Sequence, residues 1–333
     1  MTIHSDFDLT PYTTFKVPAK ASLFAEYGSI DELRSILNDK RFAALPRLHI
    51  GGGSNLLFTK PFDGLVLHSR MTGWSREDLD SHESVIHAES GLEWDKLVRI
   101  TIDEGLYGLE NLAYIPGEVG ASAVQNIGAY GAEAKDCILA VHTIDTVTGE
   151  DKTFTNQECR YAYRDSLFKH IPGRYIVTKV SFRLSRDKKF NLGYGPLKEL
   201  AGNPDLTAKD VYEKVTAIRK SKLPEPSELG SAGSFFKNPV VPQAKFESLK
   251  AQFPDIPHYD APNGIKIPAG WLIEHAGLKG CRIGKAEVYP RQCLVIVNLG
   301  GATSREVVDL YTHVMQTVDN VYGITLEPEA NIL

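Results

Sequence analysis

Apolar positions along the chain alternate between short strand-like runs and helical stripes. Residues 21–27 read as a strand. Ser29 then starts a predicted helix, with Glu32 three residues on as its capping-box partner and Ile30, Leu33 and Leu37 as its buried stripe. A short strand at 47–50 runs directly into Gly51-Gly52-Gly53-Ser54-Asn55, and an apolar run resumes at 56–58. A strand at 84–89 precedes a helix at 93–104, closed by Gly105 as a left-handed stop. From 111 to 131 the chain is rich in glycine and small residues and loses both periods, which predicts a functional loop system. Strands return at 141–146 and 175–184.

Thr207 caps a predicted helix that runs to about Ser221, where Pro224 and Pro226 prevent continuation and mark a domain boundary. Beyond it the pattern predicts a glycine-rich turn at 230–234, a short helix at 269–276 and a strand at 292–298. A long helix from Ser304, capped by Thr303 with Glu306, leads to a last strand at 324–327. The whole reads as an α+β fold with mixed connections.

At 333 residues the chain has room for two or three domains, and its 42% apolar and 24% charged content argue against long disorder. A net charge of −5 gives no electrostatic reason to bind nucleic acid or an acidic membrane surface. The first residues show no signal peptide, and no apolar run is long enough to span a bilayer, so a cytoplasmic location is expected. Cys137, Cys159, Cys281 and Cys293 are scattered without a Cys-x-x-Cys pair, which suits a reducing compartment. The histidines form no His-x-x-x-His pattern, so no metal site is predicted.

Three glycines directly after a strand make a tight turn whose backbone can approach a phosphate, although a plain crossover turn would use the same residues. The loop is neither a Rossmann nor a Walker turn. A second loop, from Ile115 to Gly131, adds repeated glycines and several side chains that hydrogen-bond. Two such loops suit the two ends of one extended dinucleotide.

These blocks, with Tyr163-Arg164-Asp165-Ser166, Gly233-Ser234-Phe235-Phe236-Lys237-Asn238-Pro239 and Leu326-Glu327-Pro328-Glu329, resemble the UDP-N-acetylenolpyruvoylglucosamine reductases (MurB). Gly193-Tyr194-Gly195 resembles the branch with a substrate-covering tyrosine loop. The resemblance implies a two-lobed FAD-binding domain of the vanillyl-alcohol-oxidase (PCMH) type in segments 1–65 and 66–222, then a substrate domain at 223–333 whose last strand returns to the active site. It implies NADPH-dependent reduction, through non-covalent FAD, of an enolpyruvyl UDP-amino-sugar in peptidoglycan precursor synthesis. The partners implied are that sugar and NADPH, with no nucleic acid and no membrane.

By the same resemblance Arg164, Ser234 and Glu329 are the catalytic residues. Arg164 would hold the substrate carboxylate in a fork, oriented by Tyr163 and Asp165; Ser234 would donate a proton; Glu329 would polarise the carboxylate, which requires it to keep a proton. Tyr194, Arg219, Lys222, Asn238 and Gln292 match substrate-binding positions. The cofactor would rest on Gly51, Gly52, Gly53, Ser54, Asn55, Pro116, Gly117, Gly120, Ser122, Gln125, Asn126, Gly128 and Tyr130. Read without the resemblance, Arg164 suits a salt bridge, Ser234 a turn, and Arg219 and Lys222 a helix terminus. Ser231 departs from the asparagine often found before Ala-Gly-Ser. Two other readings are a flavin oxidase with another substrate, and an inactive UDP-sugar-binding protein.

Overall fold

The computed structural model describes residues 2–333, which divide into two compact units. The first joins the segment ending at Phe7 to Ala21–Gly52 and Asp63–Ser221; the second joins Asp8–Lys20, Gly53–Phe62 and Lys222–Leu333. This differs from the contiguous division 1–65, 66–222 and 223–333, because 8–20 and 53–62 pack with the C-terminal residues.

In the first unit the strands Ile3–Asp8, Lys20–Tyr27, Phe62–Ser69 and Arg47–Ile50 form one sheet in that order, the last two parallel. The helix Ile30–Leu37 crosses between them and buries Leu33, Ile36 and Leu37 against Ala25, Tyr27, Leu65 and Leu67. Ser29 caps it through the Glu32 N–H, but the Glu32 carboxylate accepts from Gly28, one residue before the expected capping-box partner.

A second, antiparallel sheet orders Asp151–Thr155, Ile138–Asp145, Tyr175–Ser185, Glu83–Glu89 and Trp74–Asp78. The helices Trp94–Asp103 and Ala208–Lys222 share its core, Leu97, Val98, Val211 and Val215 joining Ile86, Val180 and Phe182. Trp94 is fully buried and gives its indole N–H to the Leu112 carbonyl at 2.8 Å. The stretch 111–131 is more ordered than its composition predicts. It contains a helix, Val119–Gln125, whose small side chains let it lie close to the strand Tyr175–Ser185.

In the second unit the sheet runs Gly230–Ser234, Val295–Asn298, Ala286–Val288 and Arg282–Ile283. The expected turn at 230–234 is therefore a strand, interrupted by a bulge between Ser231 and Ser234 that Gly233 makes possible at φ +69°. The helix Ser304–Tyr322 has the full capping box of Thr303 and Glu306. It buries Val307, Leu310, Val314 and Val318 against Ala286, Val288 and Ile296, each such side chain worth roughly 1.5–3 kcal/mol. The expected helix at 269–276 is Ala269–Ile273 followed by a π turn, and the expected strand at 292–298 begins only at Val295 because 292–295 is a turn.

No strand forms at 324–327, contrary to expectation. Pro328 lacks an N–H, which limits pairing there to a single bridge with Phe236. The chain then makes a short strand, Asn331–Ile332, parallel to Leu56–Leu57. The segment 8–20 is tied in by Asn298, whose side-chain amide donates to the Phe15 and Lys16 carbonyls at 3.1 and 2.9 Å.

Two neighbouring glycines separate packing from backbone strain. A Cβ on Gly230 would stand 2.2 Å from the Phe15 carbonyl, whereas one on Gly233 would meet open space. Gly230→Ala should cost about 3 kcal/mol or more of unfolding free energy. Gly233→Ala should cost only the left-handed strain, about 1–2 kcal/mol. Urea unfolding of the two variants checks the order.

Candidate active site

The triple-glycine turn straddles both units: Gly51 and Gly52 end a segment of the first, and Gly53, Ser54 and Asn55 begin one of the second. In the first unit the turn faces the second glycine loop almost backbone to backbone. A Cβ on Gly52 would lie 3.3 Å from the Gly117 Cα, and one on Gly51 would lie 3.3 Å from both the Ala121 Cβ and a Glu118 carboxylate oxygen. Gly117 itself sits at φ +123°. In the second unit Gly53 is at φ +61° and leaves 1.9 Å between a would-be Cβ and the Tyr12 carbonyl, so no other residue fits.

The rest of the second loop holds its shape by internal bonds. Gly120 packs on Ser90, where a Cβ would come within 2.8 Å. Ser122 is buried and donates to Val119, one turn back. Asn126 ends the helix in the left-handed region and is fully buried. Its side chain accepts from the Lys135 N–H at 3.0 Å and donates to the Ala162 carbonyl at 2.8 Å and to Glu133 at 3.1 Å. The side chains of Ser122 and Asn126 thus face protein partners, while Pro116 is exposed. Among the described residues the side-chain oxygen of Gln125 is buried without any donor. A polar atom so placed calls for a partner from outside the protein.

Asn126 leads to Arg164. The Ala162 carbonyl that it holds closes a tight turn with Asp165, and Arg164 occupies that turn at φ +55°. The Arg164 guanidinium donates to the Gly128 carbonyl at 2.8 Å and lies over the Tyr163 ring, 5.5 Å from its centre. Gly128 leaves it room: a Cβ there would stand 3.1 Å from a guanidinium nitrogen. Asp165 accepts from His170 at 2.8 Å and from the Ser166 N–H, so it braces the turn.

The same unit gathers Tyr130, Tyr194 and Arg219. The two tyrosine rings meet edge to face at 6.2 Å, and Tyr194 is 42% exposed. Asn111 donates to both the Tyr130 and Asn191 carbonyls, and Asn191 donates to Gly131, which pins the Tyr194 loop to the glycine loop. Arg219 gives its Nε–H to the Tyr114 carbonyl at 2.9 Å. Burial pushes the Arg219 guanidinium below the usual arginine range; Tyr130 counters that and the like charge of Arg164 adds to it. Two guanidinium groups that feel each other's charge suit an anionic ligand.

In the second unit the backbone of Glu329 bonds to the residue that follows Ser234. The residue after Ser234, Phe235, accepts at its carbonyl from the Glu329 N–H at 2.7 Å. The Glu329 carbonyl in turn accepts from the Asn55 side chain at 3.1 Å, and the Asn55 carbonyl accepts from Asn331. Asn238 and Gln292 converge on the start of the helix Ala269–Ile273. Asn238 accepts from the Ala269 N–H at 2.9 Å, and the Gln292 side-chain oxygen would stand 2.7 Å from a Cβ on Gly270. Lys222 is exposed at the end of its helix. Among the described residues no group of three or more His, Cys, Asp or Glu side chains is placed to hold a metal ion, and no helix is long and apolar enough to cross a membrane.

The family of this architecture is decided by comparison. Residues 225–333 match the model of the UDP-N-acetylenolpyruvoylglucosamine reductase C-terminal domain, and residues 21–154 match an FAD binding domain. A UDP-N-acetylenolpyruvoylglucosamine reductase of Bacteroides fragilis is 44% identical over 330 residues, 98% of this chain and 99% of that protein. The chain belongs to the UDP-N-acetylenolpyruvoylglucosamine reductase family. A reductase of the same name from Chromobacterium violaceum is 45% identical over 99% of this chain and 98% of its own length. The crystal structure of the Thermus caldophilus reductase of that name superposes with a TM-score of 0.70 at 26% identity, covering 100% of this chain and 99% of the other. The chain is therefore an FAD-dependent oxidoreductase with a PCMH-type FAD domain and a C-terminal α+β domain. The close glycine loops and the orphaned Gln125 oxygen fit that cofactor.

Sequence reading passed over Glu118, whose carboxylate lies under Gly51 and Gly52, and its partner His68. It also missed Asn111 as the pin of the Tyr194 loop. These pairs are 50 and 80 positions apart, and no local spacing signals them.

Asn126→Ala should lose three part-buried hydrogen bonds and the residue type that best tolerates its backbone. The expected loss is about 2–4 kcal/mol in urea unfolding, and an unchanged midpoint would contradict the bracket role.

Proposed function

We propose that this protein reduces the enolpyruvyl ether of UDP-N-acetylglucosamine to the lactyl ether of UDP-N-acetylmuramate, with NADPH as reductant, in the cytoplasm. The observation that carries the reading is the bond from the Glu329 N–H to the carbonyl of Phe235, the neighbour of Ser234, in a chain that has an FAD binding domain and presents Arg164 on a turn at φ +55°. Bound FAD would take hydride from NADPH and supply it to the substrate.

Hydride arriving at the methylene carbon leaves negative charge on the neighbouring carbon and its carboxylate. Arg164 would hold that carboxylate, its guanidinium kept in place by Gly128 and Tyr163. Glu329 would hydrogen-bond the same group, and Ser234 would deliver the proton to carbon. Arg219 and Lys222 would meet the diphosphate, Tyr194 would fold over the sugar nucleotide, and Asn238 and Gln292 would contact the substrate. For the cofactor we assign Gly51, Gly52, Gly53, Ser54, Asn55, Pro116, Gly117, Gly120, Gln125, Gly128 and Tyr130 as the lining, with Ser122 and Asn126 shaping the loop from within.

Ser234→Ala should keep flavin reduction by NADPH while slowing reoxidation by the enolpyruvyl sugar about a hundredfold or more. Anaerobic stopped-flow of each half-reaction checks this, and equal loss in both would remove the proton-donor role. Arg164→Lys should lower kcat about a hundredfold while leaving FAD content unchanged, since a point charge does not replace a fork. Normal turnover of that variant would reduce Arg164 to a structural residue.

A further inference from the structure

Glu118 joins the two glycine loops, and one histidine holds Glu118. Its carboxylate lies 3.3 Å from a would-be Cβ on Gly51 and 3.8 Å from one on Gly52. The loop backbone on either side is tied down, Trp94 N–H to the Gly117 carbonyl and Ser122 N–H to the Glu118 carbonyl. His68, on the strand Phe62–Ser69 and 8% exposed, sets its Nε2 2.9 Å from Glu118 and its Nδ1 2.9 Å from Glu26. An ionised carboxylate only accepts, so ring nitrogens facing one on each side must both donate, and that state is the imidazolium.

We propose that His68 is a positioning residue for FAD: as a cation it holds Glu118 beneath the triple-glycine turn and so sets the spacing of the two loops. This rests on the reading that those loops carry the cofactor.

The surroundings support a charged ring. Burial resists the charge on His68, but Glu118 and then Glu26 outweigh it and raise the pKa above the ordinary imidazole value. Glu26 comes from the strand Lys20–Tyr27 and also lies 3.6 Å from Arg70, at the end of the His68 strand. On the neighbouring strand Arg47–Ile50, burial pushes His49 down to about 3, so it stays neutral and accepts or donates to Tyr27 at 2.8 Å. The trio therefore keeps its proton below about pH 6.5, and its contribution fades as pH rises through the raised value.

The test is FAD affinity, read by quenching of flavin fluorescence on titrating the apoprotein from pH 6 to 9. Wild type should bind progressively more weakly with rising pH. His68→Gln should bind about tenfold or more weakly at pH 6, because its removal leaves the part-buried Glu118 carboxylate without its cation, and should lose the pH dependence. Glu118→Gln, which keeps the side chain's size, should move the midpoint to lower pH, and it decides the matter if His68→Gln does not fold. Wild-type affinity and slope in His68→Gln, or an unmoved midpoint in Glu118→Gln, overturns the proposal. Gly52→Val separates it from the reading beneath: normal FAD binding there rejects the loops as the cofactor site, whereas loss of FAD there with an unaltered His68→Gln rejects only the clamp.

Discussion

Backbone-to-backbone approach between Gly52 and Gly117 is the constraint on which the site depends. A single methyl added to Gly52 would stand 3.3 Å from the facing Cα, so a side chain there forces the Gly117 backbone to give way. Glycine costs conformational entropy at such places, and the strands and helices around it must repay that. The helix Val119–Gln125 does part of this through Gly120, which presses on Ser90, and through Asn126, whose side chain is bonded on every face. From Asn126 the same rigidity passes through Ala162 into the turn that presents Arg164. The glycine loop and the guanidinium are thus parts of one hydrogen-bonded body.

Regular elements were legible wherever local chemistry determines them. Ser29, Thr207 and Thr303 each cap the helix expected of them, because capping acts over three residues. The errors share a cause. At 230–234 glycines suggested a turn, but pairing with Val295–Asn298 makes a bulged strand, and that partner lies more than 60 positions away. At 324–327 apolar alternation suggested a strand, yet Pro328 interrupts the ladder. At 111–131 small residues hid a helix whose purpose is close packing, which composition does not express.

The site divides in the same way. Motif resemblance nominated Arg164, Ser234 and Glu329 as catalytic, since their neighbours in sequence carry the pattern. It also nominated Ser122 and Asn126 as cofactor contacts, whereas their side chains are occupied by Val119, Glu133, Lys135 and Ala162. A motif records which residues are needed and not which way they face. Glu118 illustrates the converse: it sits inside a recognised block, but its importance comes from His68 and Glu26 on two other strands.

The bond between Asn55 and Glu329 spans 274 positions, and the strand pairing beside it is as long in reach. Contacts so distant along the chain close late, because the loop entropy must be met before the contact can reward it. Much of the first unit rests on shorter connections, such as the antiparallel neighbours Ile138–Asp145 and Asp151–Thr155. During refolding the reductase should therefore acquire its large antiparallel sheet well before Glu329 reaches its station. A partly folded population would then carry the ordered sheet without the Asn55–Glu329 contact, and the delay between the two would measure how long a chain takes to close its longest-range contacts.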